Sequence, residues 1–336
     1  MTGTVAGAIP VVVVSGFLGS GKTTLIRGLL ADSRANDSAL IVNEFGEVGI
    51  DHHLFRKTDE STTLIRNGCV CCGLRDDLSD AMRDLLDKRD RSAIPAFDRL
   101  VIETTGLADP GPILHTLVSD PVLRNRFRMN RVLITLDAVS GQSNLSTYGE
   151  AMRQVAAADL VVLTKLDLAP PESAMALRQT VRMLNPIAHV TEAHHGRFDL
   201  DMLLSETIPR SIGGASAIPT SGGDRSALMH ISGGRVSSHT LIFDTPLDWR
   251  MFGIWLTMLL DQHGERVLRM KGLLNVGVQR GPLLLEGVQH VMHAPRHLRE
   301  WPDEDRRSRL VFIVRDLDVD LLHDSLLAFQ EAAAVG

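Results

Sequence analysis

The feature that most constrains this chain is a glycine-rich segment at residues 16–23, which reads Gly-Phe-Leu-Gly-Ser-Gly-Lys-Thr. It follows the Val-rich run Ile9–Ser15, which is typical of a strand buried on both faces. It leads into Lys22–Leu30, where the apolar residues have helical spacing. Glycines let backbone amides approach a phosphate chain, and a helix N-terminus attracts negative charge. Because a strand precedes the segment and a helix follows it, we predict a phosphate-binding loop (P-loop) rather than a chance glycine-rich turn.

Two side chains of the P-loop have predicted roles in handling a nucleotide. We expect the Lys22 ammonium to reach the β- and γ-phosphates and the Thr23 hydroxyl to bind Mg²⁺. The residues predicted to bind nucleotide in this segment are Gly16, Gly19, Ser20, Gly21, Lys22, Thr23 and Thr24.

Strand-like and helix-like segments alternate through the first part of the 336-residue chain. Such alternation predicts an α/β fold of the P-loop NTPase type, with a mostly parallel sheet and helices on both faces. A helical stripe of apolar residues covers Leu74–Leu86. After Ile9–Ser15, the predicted strands are Ala39–Val42, Thr62–Arg66, Arg99–Ile102, Val132–Leu136, Leu160–Thr164 and Ile187–Thr191.

A stretch rich in Gly, Ser and Pro at Ser211–Arg225 predicts a flexible linker. We therefore divide the chain into a nucleotide-binding domain at 1–210, a linker at 211–227 and a smaller C-terminal α+β domain at 228–336. We expect the strands of the second domain to be antiparallel. Its predicted strands are Ser238–Phe243, Val267–Val276, Leu283–Val291 and Leu310–Arg315, and its predicted helices are Trp249–Leu260 and Asp318–Ala332.

Composition argues against several classes of partner. The chain has 35 basic and 41 acidic residues, a net charge of −6, so nucleic acid is not an expected partner. No apolar run approaches the roughly 20 residues that span a bilayer, so we expect no membrane association. Residues 1–10 lack the basic start of a signal peptide, and we expect a cytoplasmic protein.

A second acidic position supports the nucleotide site. Arg99–Ile102 is followed by Glu103 and, three residues later, by Gly106. A carboxylate at the carboxyl end of a sheet strand can hold Mg²⁺ directly or through water, and the Gly106 N–H can approach the γ-phosphate. An ordinary glutamate in a surface turn is the alternative reading.

The segment after Leu160 predicts which base is bound. Thr164, Lys165 and Asp167 stand at the end of an apolar strand. An Asp there can accept two hydrogen bonds from guanine N1–H and the exocyclic amine, and adenine offers no such donor pair. The guanine motif of GTPases is Asn-Lys-x-Asp, and Thr replaces its Asn here. We therefore expect GTP to be preferred over ATP.

All three cysteines of the chain, Cys69, Cys71 and Cys72, lie within four residues. That spacing cannot make a disulfide framework, whereas three thiolates on a tight turn can bind one soft ion. Zn²⁺ takes four ligands, so a carboxylate, a His or water must complete the site. The candidate side chains for this fourth position are Glu44, Glu47, His52 and His53. Buried free cysteines are the alternative reading.

Together these motifs resemble the CobW/YjiA-like family of metallochaperone GTPases over most of the chain. The Cys-x-Cys-Cys element beside a P-loop is the most specific part of the resemblance. The matching stretches are GFLGSGKTTL at 16–25, NEFGEVGID at 43–51, NGCVCC at 67–72, RLVIETTGLADPGPI at 99–113, LTKLD at 163–167, RVLRMKGLLNV at 266–276, LLLEGVQHVMHA at 283–294 and SRLVFIVRDLD at 308–318.

This resemblance implies GTP hydrolysis to GDP and phosphate, coupled to delivery of Zn²⁺ or Co²⁺ to a client metalloprotein. Residues 43–51 match the first switch region, and Glu103–Gly106 match the second. The three cysteines match the family's metal-binding cysteines. Some relatives carry an acid where Val42 stands, which leaves Glu47 as the better carboxylate candidate here.

The mechanism we predict is a two-state switch. GTP and Mg²⁺ order residues 43–51, bring Glu47 toward the thiolates and tighten metal binding, and hydrolysis reverses this. We see no residue that positions the attacking water, so we expect slow hydrolysis that a client accelerates. Other hypotheses are a nickel-insertion GTPase, a small-molecule kinase that uses ATP, and a nucleotide-bound zinc buffer or sensor. The metal (Zn²⁺, Co²⁺ or Ni²⁺), the client and a homodimeric state are left open.

Overall fold

The computed structural model describes residues 7–42, 64–66, 76–204, 229–231, 234–277 and 281–335. These residues form two compact units. The first is drawn from residues 5–178 and 189–207, and the second from 179–188 and 208–336. The predicted linker lies outside the described residues, so the domain boundaries remain a prediction.

Residues 7–204 contain the strands and helices of the first unit, except that the end of helix α7 (Pro171–Leu184) from residue 179 is grouped with the second unit. The elements in chain order are β1 (Ile9–Ser15), α1 (Lys22–Leu30), β2 (Ser38–Val42), β3 (Leu64–Arg66), α2 (Asp76–Asp90), β4 (Arg99–Glu103), α3 (Gly111–Ser119), α4 (Leu123–Arg126), β5 (Phe127–Asp137), α5 (Gly141–Thr147), α6 (Gly149–Ala157), β6 (Leu160–Thr164), α7 (Pro171–Leu184), β7 (His189–Glu192) and α8 (Asp201–Leu204).

These strands form one seven-stranded sheet in the order β3-β2-β4-β1-β5-β6-β7. Every pairing along it is parallel. The predicted α/β fold with a parallel sheet is confirmed. β1 lies between β4 and β5, so the P-loop leaves the middle of the sheet at its carboxyl edge.

The Val-rich β1 is buried on both faces of the sheet, as its sequence predicts. Val11–Val14 are each at most 2% exposed. Because side chains alternate along a strand, Val12 and Val14 share one face. On that face they pack in one apolar cluster with Leu25 and Ile26 of α1. The helix that follows the P-loop is therefore fixed to the strand that precedes it.

The strand predicted at Val132–Leu136 is longer in the structure. β5 begins at Phe127, and its first half pairs with β1 through a register shift between Val11 and Val12. Residues 128–131, Arg-Met-Asn-Arg, are only partly buried. Backbone pairing with β1 extends the strand through these residues, whereas their side chains are not fully buried. The sequence therefore shows no apolar pattern that would predict this part of the strand.

The second unit has an antiparallel sheet and two helices, as predicted, and the structure shows both helices packed against one face of the sheet. Its sheet order is β12-β11-β10-β14-β9-β8, with β13 paired to β11. One apolar cluster joins Phe252 and Trp255 to Leu322 and to the sheet residues Met270 and Phe312. The elements are β8 (Met229–Ile231), β9 (Gly234–Phe243), α9 (Trp249–His263), β10 (Val267–Leu274), β11 (Leu283–Val288), β12 (Val291–Met292), β13 (Arg296–His297), β14 (Ser308–Arg315) and α10 (Val319–Val335).

The single strand predicted at Leu283–Val291 is wrong. The structure has two strands there, β11 and β12, and Val288 pairs with Val291 across a two-residue hairpin turn. Gln289 has a φ of 52°, in the left-handed region that such a turn requires. The turn carries Gln and His in place of the usual Gly or Asn, so the sequence has no turn signal at this point.

Within the described residues, we find no helix whose length and hydropathy would let it cross a membrane.

The face of the second sheet opposite the helices carries buried charges. Lys271 of β10 and Glu286 of β11 are cross-strand partners, and their side chains form an ion pair. The side chain of Lys271 is 5% exposed and that of Glu286 is 17% exposed, so solvent screens this pair weakly. Burial raises the pKa of Glu286, but the charges of Lys271, His293 and Arg269 outweigh it and lower its pKa to about 2.

We predict that Glu286→Gln destabilises the second unit by about 3–5 kcal/mol at neutral pH, because it removes the carboxylate from a buried ion pair. A carboxylate whose pKa is lowered on folding stabilises the protein above its unfolded pKa. The wild-type pair should therefore lose its contribution as pH falls from about 4.5 toward about 2, and the variant should lack this dependence.

Tryptophan fluorescence during urea unfolding measures the effect, because Trp249, Trp255 and Trp301 all belong to the second unit. Exposed Glu300 offers the matched control Glu300→Gln, which should change stability little. If Glu286→Gln and the wild type have equal free energies of unfolding at pH 7, the buried Lys271–Glu286 ion pair does not stabilise the second unit as predicted.

Candidate nucleotide-binding site

The P-loop connects β1 to α1 at the carboxyl edge of the parallel sheet. Three of its glycines have positive φ: Gly16 at 142°, Gly19 at 71° and Gly21 at 95°. A Cβ on Gly16 would collide with the side chain and the carbonyl of Thr135. Position 16 therefore tolerates no side chain, and the loop lies directly against β5.

Two further hydrogen bonds hold the P-loop to neighbouring strands. The hydroxyls of Ser20 and Thr135 lie 2.6 Å apart. The Thr164 hydroxyl, at the end of β6, donates to the Ser20 carbonyl at 2.7 Å. Sequence reasoning missed Thr135, although a polar residue inside the apolar run Val132–Leu136 is a signal. It placed Thr164 in base recognition, and the structure shows its hydroxyl supporting the P-loop.

The Lys22 ammonium lies across the loop that it was predicted to serve. It donates to the carbonyls of Gly16 at 2.8 Å and Phe17 at 3.3 Å. An ammonium held at the mouth of a glycine loop, beside the N-terminus of α1, suits a polyphosphate.

The predicted Mg²⁺ ligands meet in the structure. The Thr23 hydroxyl donates to Glu103 Oε1 at 3.0 Å, and Glu103 is 2% exposed at the end of β4. A hydroxyl and a carboxylate oxygen are hard ligands of the kind that Mg²⁺ prefers, so this pair fits the ion.

The segment after β4 rests on the P-loop. The Thr104 hydroxyl donates to the Ser15 hydroxyl at 2.7 Å. A Cβ on Gly106 would lie 2.6 Å from Leu18 Cδ2 and 2.8 Å from the Leu18 backbone nitrogen. The predicted γ-phosphate position Gly106 is therefore packed against the P-loop, and a side chain there would push the two loops apart.

The predicted base-recognition residues follow β6 at the same edge. Lys165 has a φ of 55°, and its ammonium lies 3.8 Å from Asp137 Oδ2. Asp137 is 1% exposed and accepts hydrogen bonds from the backbone N–H groups of Val139 and Ser140. Asp167 lies in a short 3₁₀ helix, Leu166–Leu168, and is exposed. The Asp167 carboxylate is thus accessible to a base.

The predicted metal ligands Cys69, Cys71, Cys72 and Glu47 lie outside the described residues. The strands that lead into their segments are described. Val42 at the end of β2 is paired with Arg66 at the end of β3 and with Glu103 at the end of β4. β2 therefore ends beside the carboxylate of the nucleotide site, and β3 ends one strand further away from it. Elsewhere in the described part of the chain, no group of three or more His, Cys, Asp or Glu residues is arranged to hold a metal ion.

The parallel sheet, the glycine loop between β1 and α1, and the Thr23–Glu103 pair define a P-loop nucleotide-binding protein. Residues 10–192 match the family model "CobW/HypB/UreG, nucleotide-binding domain". Residues 236–330 match the cobalamin synthesis protein cobW C-terminal domain. The chain belongs to the CobW family.

Individual relatives agree with this assignment. The chain is 36% identical to the zinc chaperone YjiA of Escherichia coli, over 91% of this chain and 93% of YjiA. It is 31% identical to the zinc-regulated GTPase metalloprotein activator 1 of Schizosaccharomyces pombe, over 57% of this chain and 47% of that protein. The crystal structure of the Zn(II)-bound YjiA GTPase from E. coli matches with a TM-score of 0.70 and 31% identity, covering 96% of this chain and 99% of that one.

We predict that Thr164→Val lowers affinity for GDP about tenfold, because a hydrogen bond to the P-loop carbonyl of Ser20 contributes ~1–1.5 kcal/mol. Fluorescence titration with a labelled GDP measures the change. Thr116→Val is the matched control, since Thr116 is a buried threonine whose hydroxyl donates to Pro112 within its own helix. Equal losses in both variants would show that the effect comes from burying valine and not from the P-loop contact.

Proposed function

We propose that this chain hydrolyses GTP and uses the bound nucleotide to control how tightly it holds Zn²⁺ for delivery to a client metalloprotein. The observation that carries the enzymatic part is the 3.0 Å hydrogen bond between Thr23 and Glu103, because it unites the two side chains that a magnesium-bound nucleotide needs. Support for the metal part comes from the three clustered cysteines and from relatives named as zinc chaperones.

Hydrolysis of the γ-phosphate relies on charge stabilisation by groups at the sheet edge. In this proposal the P-loop amides and the Lys22 ammonium hold the β- and γ-phosphates, and the ammonium exchanges its bonds to Gly16 and Phe17 for phosphate oxygens. Thr23 and Glu103 would hold Mg²⁺, and the ion would supply positive charge that stabilises the negative charge of the phosphates during hydrolysis. The Gly106 N–H, next to Leu18, donates to the γ-phosphate.

The base is guanine in this proposal. Asp167 accepts from guanine N1–H and its amine, and the Lys165 stem lies along the ring. Thr164 contributes through the P-loop, since its hydroxyl is engaged by the Ser20 carbonyl. The Asn of the GTPase motif is therefore replaced here by a residue that supports the phosphate site.

The metal ligands in this proposal are Cys69, Cys71, Cys72 and Glu47. The order of these strands in the sheet supports coupling, because β2, which precedes residues 43–51, lies between Glu103 of β4 and β3, which precedes the cysteine segment. In this proposal the γ-phosphate of GTP would order residues 43–51. This ordering would bring Glu47, which belongs to that stretch, toward the cysteine thiolates. Coupling between two ligands is reciprocal. If GTP raises the affinity for Zn²⁺ by some factor, Zn²⁺ must therefore raise the affinity for GTP by the same factor.

Delivery requires a cytoplasmic setting in which the thiols stay reduced, and we infer that location. Co²⁺ and Ni²⁺ also bind thiolates, so the metal that co-purifies with the chain and the apo-enzyme that it activates distinguish zinc delivery from nickel insertion.

A Zn²⁺ titration against a chromophoric chelator, with and without a non-hydrolysable GTP analogue and Mg²⁺, tests the switch. We expect the analogue to tighten Zn²⁺ binding by about 5- to 150-fold, the usual range of coupling between two sites. Cys71→Ser should weaken Zn²⁺ binding strongly because it removes a thiolate, and should change GDP affinity by less than about twofold.

Lys22→Ala is the control for the nucleotide effect, because it keeps the thiols and removes a phosphate contact. Its Zn²⁺ affinity should match the nucleotide-free value whether or not the analogue is added. Wild-type Zn²⁺ affinity that does not respond to the analogue would instead support a zinc buffer or sensor.

A further inference from the structure

We propose that Gln154 of α6 is a positioning residue for GTP hydrolysis, which fixes the Gly106 segment against the P-loop. This inference rests on the role proposed above for Gly106. Gln154 is 1% exposed, and its Nε2 donates to the carbonyls of Gly106 at 3.2 Å and Ala108 at 3.0 Å. One side-chain amide therefore holds the segment at two points.

The chemistry of this contact requires an amide. Two carbonyl oxygens face the end of the side chain, and a glutamine nitrogen supplies the two N–H donors that they need. A carboxylate would place negative charge against both carbonyls, and a methionine would fill the same space without a donor. The Gln154 Oε1 atom is also buried, and no described residue donates a hydrogen bond to it.

The buried Oε1 atom helps to decide whether Gln154 serves mainly to stabilise the fold or to position the Gly106 segment. Burying an amide oxygen without a hydrogen bond costs about 1–3 kcal/mol, which offsets what the two donated bonds contribute to folding. An apolar residue of similar shape would avoid this cost but would leave the carbonyls of Gly106 and Ala108 without their donor. The two effects oppose each other, so Gln154 gains the fold little net stability, and a local compromise of this kind is typical of functional positions.

The same helix contacts both loops of the nucleotide site. Arg153 forms an ion pair with Asp109, with Nε and Oδ2 3.3 Å apart. Just before α6, the Tyr148 ring stacks on Phe17 of the P-loop, with centroids 4.7 Å apart and planes at 27°. α6 thus holds the P-loop at one end and the Gly106 segment along its side.

The contact acts on the terminal phosphate in particular. In the function proposed above, the P-loop and Lys22 bind the β-phosphate in both GTP and GDP, whereas Gly106 donates to the γ-phosphate alone. Releasing the Gly106 segment should therefore slow hydrolysis and reduce the preference for GTP over GDP, with GDP binding unchanged. A donor displaced by about 1 Å can cost on the order of 100-fold in rate.

Single-turnover hydrolysis by the full chain, together with GDP affinity and thermal unfolding, tests this inference. We expect Gln154→Met to lower the hydrolysis rate about 10- to 100-fold. GDP affinity should change by less than about twofold, and the melting temperature should change little, because losing the unpaired Oε1 and losing the donor to two carbonyls have opposite effects on stability. Gln154→Glu should lower the rate at least as far, because its carboxylate faces two carbonyls. Gln179→Met, at an exposed glutamine of α7, is the control and should hydrolyse GTP at the wild-type rate.

A wild-type rate in Gln154→Met would overturn the inference, and so would a parallel fall in rate, GDP affinity and melting temperature, which indicates packing alone. If Gln154→Met does not fold, Gln154→Asn replaces it with the same expected loss, since its shorter side chain cannot reach both carbonyls. Gly106→Ala separates the two proposals. If it loses hydrolysis while Gln154→Met keeps it, only the role of Gln154 fails, and if it keeps hydrolysis, the role of Gly106 fails.

Discussion

Thr135 of β5 occupies the space where residue 16 would carry a Cβ, and the geometry of the nucleotide site depends on this contact. The P-loop can follow β1 only by lying flat against β5, where Ser20 meets both the Thr135 hydroxyl and the Thr164 hydroxyl. From that position α1 begins with Lys22 over the loop and Thr23 beside Glu103. The P-loop amides, the Lys22 ammonium and the predicted magnesium ligands are therefore placed by packing between strands, which is how electrostatic preorganisation arises.

The two sides of this edge have different tasks. Toward β5 and β6, the contacts with Ser20 are buried and rigid, which suits a site that must hold the diphosphate in both nucleotide states. Toward β4, β2 and β3, the strands lead into segments that GTP and metal are proposed to order, and β2 lies between Glu103 of β4 and β3. Gln154 of α6 holds the segment that follows β4 through its hydrogen bonds to the carbonyls of Gly106 and Ala108. A donor that is fixed in this way loses less entropy when it meets the γ-phosphate than a donor that is free to move.

The second unit solves a different physical problem. Its helices α9 and α10 cover one face of an antiparallel sheet with an ordinary apolar cluster. The other face carries Arg269, Lys271 and Arg309, each at most 4% exposed. Buried charges of this kind persist only with partners, such as Glu286 for Lys271 and Asp303 for Arg309. Ion pairs are directional and apolar contacts are not, so the charged face specifies its geometry more strictly than the apolar one.

The sequence by itself determined the parallel sheet, the P-loop and the antiparallel second unit, because these depend on local spacing and on burial that periodicity reports. It also predicted that Thr23 and Glu103 share a magnesium site. It did not reveal that β5 begins at Phe127 or that Gln289 turns the chain, since both depend on backbone pairing without a side-chain signal. Only the tertiary structure assigned Thr164 to the P-loop and brought Gln154 to Gly106, 48 residues away along the chain. Hydrogen bonds between distant segments are decided by how the elements pack, and no local pattern encodes them.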